Sequence, residues 1–124
     1  MSDGKNFVIV MTSGPNAPER CATPFYMATL AAGQDFDVTV YCTGMGTLLL
    51  KKGVADATFP MGPDGQSVMG FIQMATQAGV KLGACAPSME MHRMSADDLI
   101  PGCDLVSAAA GFEVVAESDK LISF

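Results

Sequence analysis

A chain of 124 residues that is 49% hydrophobic has apolar material for a packed core, which argues against intrinsic disorder and for a single domain spanning residues 1–124. Charged residues make up only 16%, against ~25% in ordinary soluble domains, so part of the apolar surface is expected to be covered in a homo-oligomer. Thirteen acids against seven bases give a net charge of −6, and Lys51–Lys52 is the only adjacent basic pair, so the clustered cations that bind a phosphate backbone are missing and nucleic acid is not expected as a partner.

Phe7–Met11 is a short β-branched apolar run bounded by turn residues, which reads as a strand buried on both faces. A loop follows through Pro18. Apolar positions from Glu19 to Ala32 suit an amphipathic helix closed by Gly33, and Pro24, tolerable only in a first turn, moves its start toward Thr23. Asp37–Cys42 is a second strand, stopped by Thr43-Gly44-Met45-Gly46. Thr47–Lys52 reads as a short helix, and residues 56–66, with two prolines and two glycines, as a loop. Gln66–Ala78 is helical, ending at Gly79.

Val80–Ala84 is a third strand that delivers Cys85 at its C-terminal end. Pro87-Ser88 opens a short helix through Met94. Ser95-Ala96-Asp97-Asp98 resembles an N-cap with acids in the first turn of another helix, ended by Pro101-Gly102. Cys103–Ser107 is a fourth strand, Ala108–Glu117 a helix and Lys120–Phe124 a closing strand. Alternation of this kind predicts an α/β fold: a five-stranded, mainly parallel sheet with helices on both faces. In such sheets chemistry gathers beyond the carboxyl ends of the strands, and Cys85 lies on that edge.

No apolar run approaches the ~20 residues that span a bilayer, so no membrane segment is expected. The start, Met1-Ser2-Asp3-Gly4-Lys5, lacks the build of a secretion signal, which predicts a cytoplasmic protein with reduced thiols.

Four cysteines then need an explanation. Cys85, at a strand tip before a helix start and between the small residues Ala84 and Ala86, is placed to be ionised and nucleophilic; a buried inert thiol is the alternative. Cys21, near the start of the first helix, and Cys103, at the start of the fourth strand, are candidate auxiliary thiols, although packing would explain both. Cys42 is expected to pack beside Tyr41. Ser13, Thr43 and Ser88 are candidates to line the site, and His92 or Arg93 to stabilise a thiolate or persulfide. Structural zinc ligands come in close pairs, whereas these cysteines are widely spaced and His92 is the only histidine, so no metal site is expected. Thr12-Ser13-Gly14-Pro15-Asn16 lacks the spacing of the known phosphate-cradling loops, so no cofactor is expected.

The segment Ala84-Cys85-Ala86-Pro87-Ser88-Met89-Glu90-Met91, followed by Asp97-Asp98-Leu99-Ile100-Pro101-Gly102, resembles the DsrE/DsrF/TusD-like sulfur-relay family, and within it the soluble DsrE3-type branch. Pro24-Phe25, Val40-Tyr41-Cys42-Thr43-Gly44, Leu48–Gly53 and Asp119–Phe124 are similar to that branch too, so the likeness runs from about Phe7 to Phe124. It implies a Rossmann-like three-layer domain that forms trimers or hexamers. It also implies a sulfur carrier or sulfurtransferase that accepts sulfane sulfur as a cysteine persulfide. Its partners would be a rhodanese-like donor, a TusA-like sulfur carrier or other sulfur-relay proteins, in sulfur oxidation or trafficking. The family's sulfur-bearing cysteine corresponds to Cys85. Where branch members often carry Met-Gly, this chain has His92-Arg93-Met94. Rival expectations are a redox sensor pairing Cys85 with Cys21 or Cys103, a scaffold subunit with an inert Cys85, and a flavin-binding module.

Overall fold

The computed structural model describes residues 5–124; the expectation attached to Met1–Gly4 lies outside the described residues. Five strands form one parallel sheet: β1 (Asn6–Met11), β2 (Asp37–Cys42), β3 (Lys81–Cys85), β4 (Cys103–Val106) and β5 (Lys120–Ser123). Their spatial order is β4-β3-β2-β1-β5, with every neighbouring pair parallel. Four α-helices connect them: α1 (Thr23–Gly33), α2 (Val68–Gln77), α3 (Ala86–Met91) and α4 (Ala108–Ala116). The α/β three-layer architecture expected from the strand–helix alternation is the one observed.

Side chains alternate across each strand, so the sheet has two unlike faces. Ile9, Met11, Val40, Cys42, Leu82 and Ala84 belong to the face covered by α1 and α2, where they join Phe25, Ala28, Val68, Ile72 and Ala75 in the main core. The other face, with Val8, Thr39, Tyr41, Gly83 and Cys85, is covered by α4, whose one buried residue is Gly111. Phe112 on α4 is 71% exposed and Leu121 on β5 48%, so this side of the sheet is thinly covered.

Local details differ from the sequence expectations for identifiable reasons. The first helix begins at Thr23 with Pro24 inside its first turn, where proline's missing N–H costs no helix bond; Pro18–Arg20 is a separate 3-10 turn. In place of a helix over 47–52, a 3-10 run spans Gly44–Leu50. The helix expected after Ser95 is a single 3-10 turn, Ala96–Asp98, with a capping box in which the Asp98 carboxylate accepts from the Ser95 N–H at 2.8 Å and hydroxyl at 3.3 Å. The chain is then drawn into extended pairing: the Ile100 N–H donates to the Leu50 carbonyl and the Lys52 N–H to the Asp98 carbonyl. Ile100, which precedes Pro101, is biased against helix as well. The Cys85 helix stops at Met91 and not Met94, because Arg93 turns left-handed at φ 55°. Among the described residues, no helix is long and apolar enough to cross a membrane.

Candidate functional site

β2 and β3 lie side by side, with Tyr41 opposite Gly83 and Cys42 opposite Ala84. One step further along, at the carboxyl ends of both strands, Cys85 and Thr43 emerge where α3 and the 44–50 run begin. Parallel pairing therefore juxtaposes two segments more than forty residues apart. Cys85 is 7% exposed, at the sheet's rim.

Helix α3 grips the loop after β2 from two positions one turn apart. The Ser88 hydroxyl oxygen accepts the Gly44 N–H at 2.8 Å and lies 3.1 Å from the Thr43 hydroxyl. His92, four residues on, places Nε2 2.9 Å from the Gly44 carbonyl oxygen. Spacing of i and i+4 puts both side chains on one helix face. Both ends of residue Gly44 are thus held by α3, and Gly44 itself sits at φ 57°, a left-handed conformation glycine adopts freely.

Two members of this network, Ser88 and Thr43, also act on the Cys85 sulfur. Burial pushes its thiol pKa up, but hydrogen bonds outweigh this: the Ser88 hydroxyl, the Tyr41 hydroxyl, the Ser88 backbone and the Thr43 hydroxyl together bring it down to about 7. The stabilising groups are neutral donors rather than cations. Tyr41 itself is pushed up to about 12 by burial, by its hydrogen bond to Cys85 and by the charge there, so its phenol keeps its proton at neutral pH and remains a donor.

The other thiols are in a different state. Cys21 is fully buried; its S–H donates to the carbonyls of Gly14 at 3.2 Å and Ala17 at 3.4 Å, and burial followed by the nearby Glu19 raises its pKa to about 11. Cys42 is fully buried too and raised by burial, then by Cys103 and Cys21. Cys103 is raised to about 12 by burial and by Asp104. Cys103 pairs with Leu82 and Cys42 with Ala84, so alternation sets both on the sheet face opposite to Cys85.

Of the other residues singled out from sequence, Thr43 and Ser88 meet at the sulfur. Ser13 is buried in the loop after β1, where its carbonyl lies against Gly46. His92 is engaged with Gly44, and Arg93 is exposed just past the helix. Sequence pattern gives Tyr41 no place at the site; the available signal is its position in an alternating strand, one residue out of phase with the core positions Val40 and Cys42.

Removing the Ser88 hydroxyl takes one donor from the sulfur and leaves the Gly44 N–H without its acceptor. Ser88→Ala is expected to raise the Cys85 pKa by about one unit, cutting the thiolate fraction at neutral pH severalfold. The rate of Cys85 alkylation against pH checks it; a midpoint still near that of the wild type would show that Ser88 does not support the thiolate.

The chain belongs to the DsrE/DsrF-like family, whose sequence profile matches residues 5–124. Among curated proteins it is 28% identical to the sulfur carrier protein DsrE2 of Allochromatium vinosum, with 93% of this chain and 95% of that protein covered. It is 25% identical to the uncharacterized protein MK0008 of Methanopyrus kandleri, covering 94% of this chain and 91% of that one. Among solved structures, the ychN protein of E. coli superposes with a TM-score of 0.80 at 16% identity, over 97% of this chain and 99% of that one. The MTH1491 protein of Methanobacterium thermoautotrophicum superposes with a TM-score of 0.67 at 19% identity, over 97% and 98%. At such identities these two structures speak to the fold alone.

Proposed function

We propose that this protein carries sulfane sulfur as a persulfide on Cys85 and relays it between protein thiols. The observation that carries the reading is the nest of neutral donors around one thiol at the sheet rim, which brings Cys85 alone among the four cysteines to about 7. A thiolate is the nucleophilic form, and a group half-ionised near neutral pH combines a useful thiolate fraction with retained nucleophilicity. The Cys85 thiolate attacks the outer sulfur of a donor R–S–SH. A Cys85 S–S bond forms, the donor's S–S bond breaks, and R–S⁻ leaves with the electron pair. An acceptor thiolate later removes that outer sulfur in the same way. No redox partner is consumed and no bound cofactor or metal is needed.

Membership of the family and the likeness to a protein named a sulfur carrier support a sulfur-relay role. On this reading the donors and acceptors are persulfide-bearing proteins such as a rhodanese-like donor and a TusA-like carrier, and the setting is the cytoplasm. The thinly covered α4 face, with Phe112 and Leu121 exposed, supports a homotrimer or hexamer. Cys85 works as a single thiol here. A redox sensor would need a second one nearby, and Cys42 and Cys103 belong to the opposite face while Cys21 is closed in beneath its loop.

The test exposes reduced protein to polysulfide and records the intact mass of the wild type and of each Cys→Ser variant. Sulfur-atom increments are expected in the wild type and in the other three variants, and none in Cys85→Ser. Increments that persist in Cys85→Ser would defeat the assignment.

A further inference from the structure

We propose that the Tyr41 hydroxyl is the donor that stabilises Cys85 as a leaving thiolate when the outer sulfur is handed on, and that Gly111 of α4 is the positioning residue that seats it. This rests on the persulfide-relay reading and extends it to the direction in which the site is biased.

Three positions on two strands and a helix build the arrangement. Tyr41 faces away from the main core, on the same side of the sheet as Cys85 and on the neighbouring strand, and its hydroxyl is one of the donors that hold the Cys85 thiol down. Its ring passes over Gly83, where an added Cβ would meet the ring's Cδ1 at 3.6 Å, an ordinary contact, but Val106 Cγ2 at 3.0 Å, so glycine there spares Val106 and leaves the ring in plain van der Waals contact. Its hydroxyl ends against Gly111, the one buried residue of α4, where any Cβ would land on the phenol oxygen. A glycine inside a helix costs about 1 kcal/mol relative to alanine. At Gly111 the gain is that the phenol fits beneath the helix.

Around the sulfur, β2 contributes Tyr41, the loop after it Thr43, α3 Ser88, and β4 the apolar Val106 paired with Cys85; His92 is turned to the Gly44 carbonyl. Tyr41 is the titratable side chain that bonds the sulfur, and it stays protonated.

In the hand-off, an acceptor thiolate attacks the outer sulfur. The acceptor's S–S bond forms, the Cys85 S–S bond breaks, and the electron pair stays on Cys85 Sγ. Negative charge therefore grows on that atom as the bond breaks. A fixed O–H donor strengthens as its acceptor becomes anionic, and a low-pKa thiolate leaves faster. While the persulfide is intact, its charge lies mainly on the outer sulfur, so Tyr41 favours the state after release over the state before. The site is thus built to give sulfur to thiols of ordinary, higher pKa, and the acceptor class is a more basic protein thiol.

Two measurements on the full chain test this. Cys85 alkylation against pH reports the Tyr41–Cys85 bond without any sulfur chemistry. Sulfur release is then followed from protein loaded to completion with polysulfide, using glutathione as acceptor. Tyr41→Phe keeps the ring, and is expected to move the alkylation midpoint up by about one unit and slow release about threefold. Gly111→Ala is expected to reproduce both effects, and the double variant to add little to either single one. An unchanged midpoint and unchanged release in Tyr41→Phe would overturn the proposal. A shifted midpoint with unchanged release would overturn the leaving-group role. Failure of the wild type to load at all would overturn the relay reading itself.

Discussion

At pH 7, a small alkylating reagent will label Cys85 about a hundredfold faster than Cys103, and will leave Cys21 and Cys42 untouched until the protein unfolds. Cys103 is the real competitor because it is only half-buried, whereas Cys21 and Cys42 are fully buried. The two thiols differ in pKa by about five units, at about 7 for Cys85 and about 12 for Cys103. Thiolate fraction alone would then separate them by more than four powers of ten. Intrinsic nucleophilicity falls as pKa falls, with a Brønsted slope of about 0.4–0.5, which returns about two of those powers to Cys103. The 7% exposure of Cys85 takes back more. A hundredfold is what survives these subtractions. The rate at Cys85 should climb with pH to a midpoint near 7 and then level off, since above it the thiol is already ionised. Because the donors are neutral, raising ionic strength should move that midpoint little, unlike a thiolate held by a cation. Mapping the labelled cysteine by peptide mass at several pH values checks both points; equal labelling of Cys85 and Cys103 would remove the basis of the site.

The second large effect belongs to Gly46. The loops after β1 and β2 cross there so closely that an added Cβ would fall on the Met11 carbonyl oxygen, with the Met11 carbonyl carbon at 3.0 Å and the Ser13 carbonyl oxygen at 3.3 Å. All three are backbone atoms. The Met11 carbonyl is also fixed by the Thr43 N–H that it accepts at 3.0 Å, so it cannot step aside without breaking the junction of the two strands. Overpacking of this kind costs about 3 kcal/mol when no side chain can yield. Against a total stability of about 5–15 kcal/mol that is a large share. Gly46→Ala should therefore lower the urea midpoint markedly. It should also raise the Cys85 pKa, because the displaced segment includes Thr43 and Gly44, both partners of Ser88. A midpoint equal to that of the wild type would show that the loops separate more easily than their contacts suggest.

Much of this protein can be read directly from its residues. Phe7–Met11 and Asp37–Cys42 are short, β-branched and bounded by turn residues, and such runs form parallel strands in almost any context that buries them. Val80–Ala84 ahead of Ala86-Pro87-Ser88 places Cys85 at a strand-to-helix junction by chain connectivity alone. Thr43 and Ser88 were visible as polar residues at the ends of those same elements. Where the expectations failed locally, as after Ser95, pairing with a distant segment over Leu50–Lys52 overrode a sound helix-start signal.

Local pattern determined the elements and the position of the thiol, since strand alternation and helix starts depend on neighbours a few residues away. Tertiary structure alone decided what makes that thiol acidic. The strand order β4-β3-β2-β1-β5 brings Tyr41 beside Cys85, α4 lowers Gly111 onto the phenol, and α3 closes Ser88 and His92 on Gly44 across more than forty residues of chain. A hydrogen bond to a thiolate depends on ångström-scale distances between atoms in different elements, and no spacing along one chain encodes those distances.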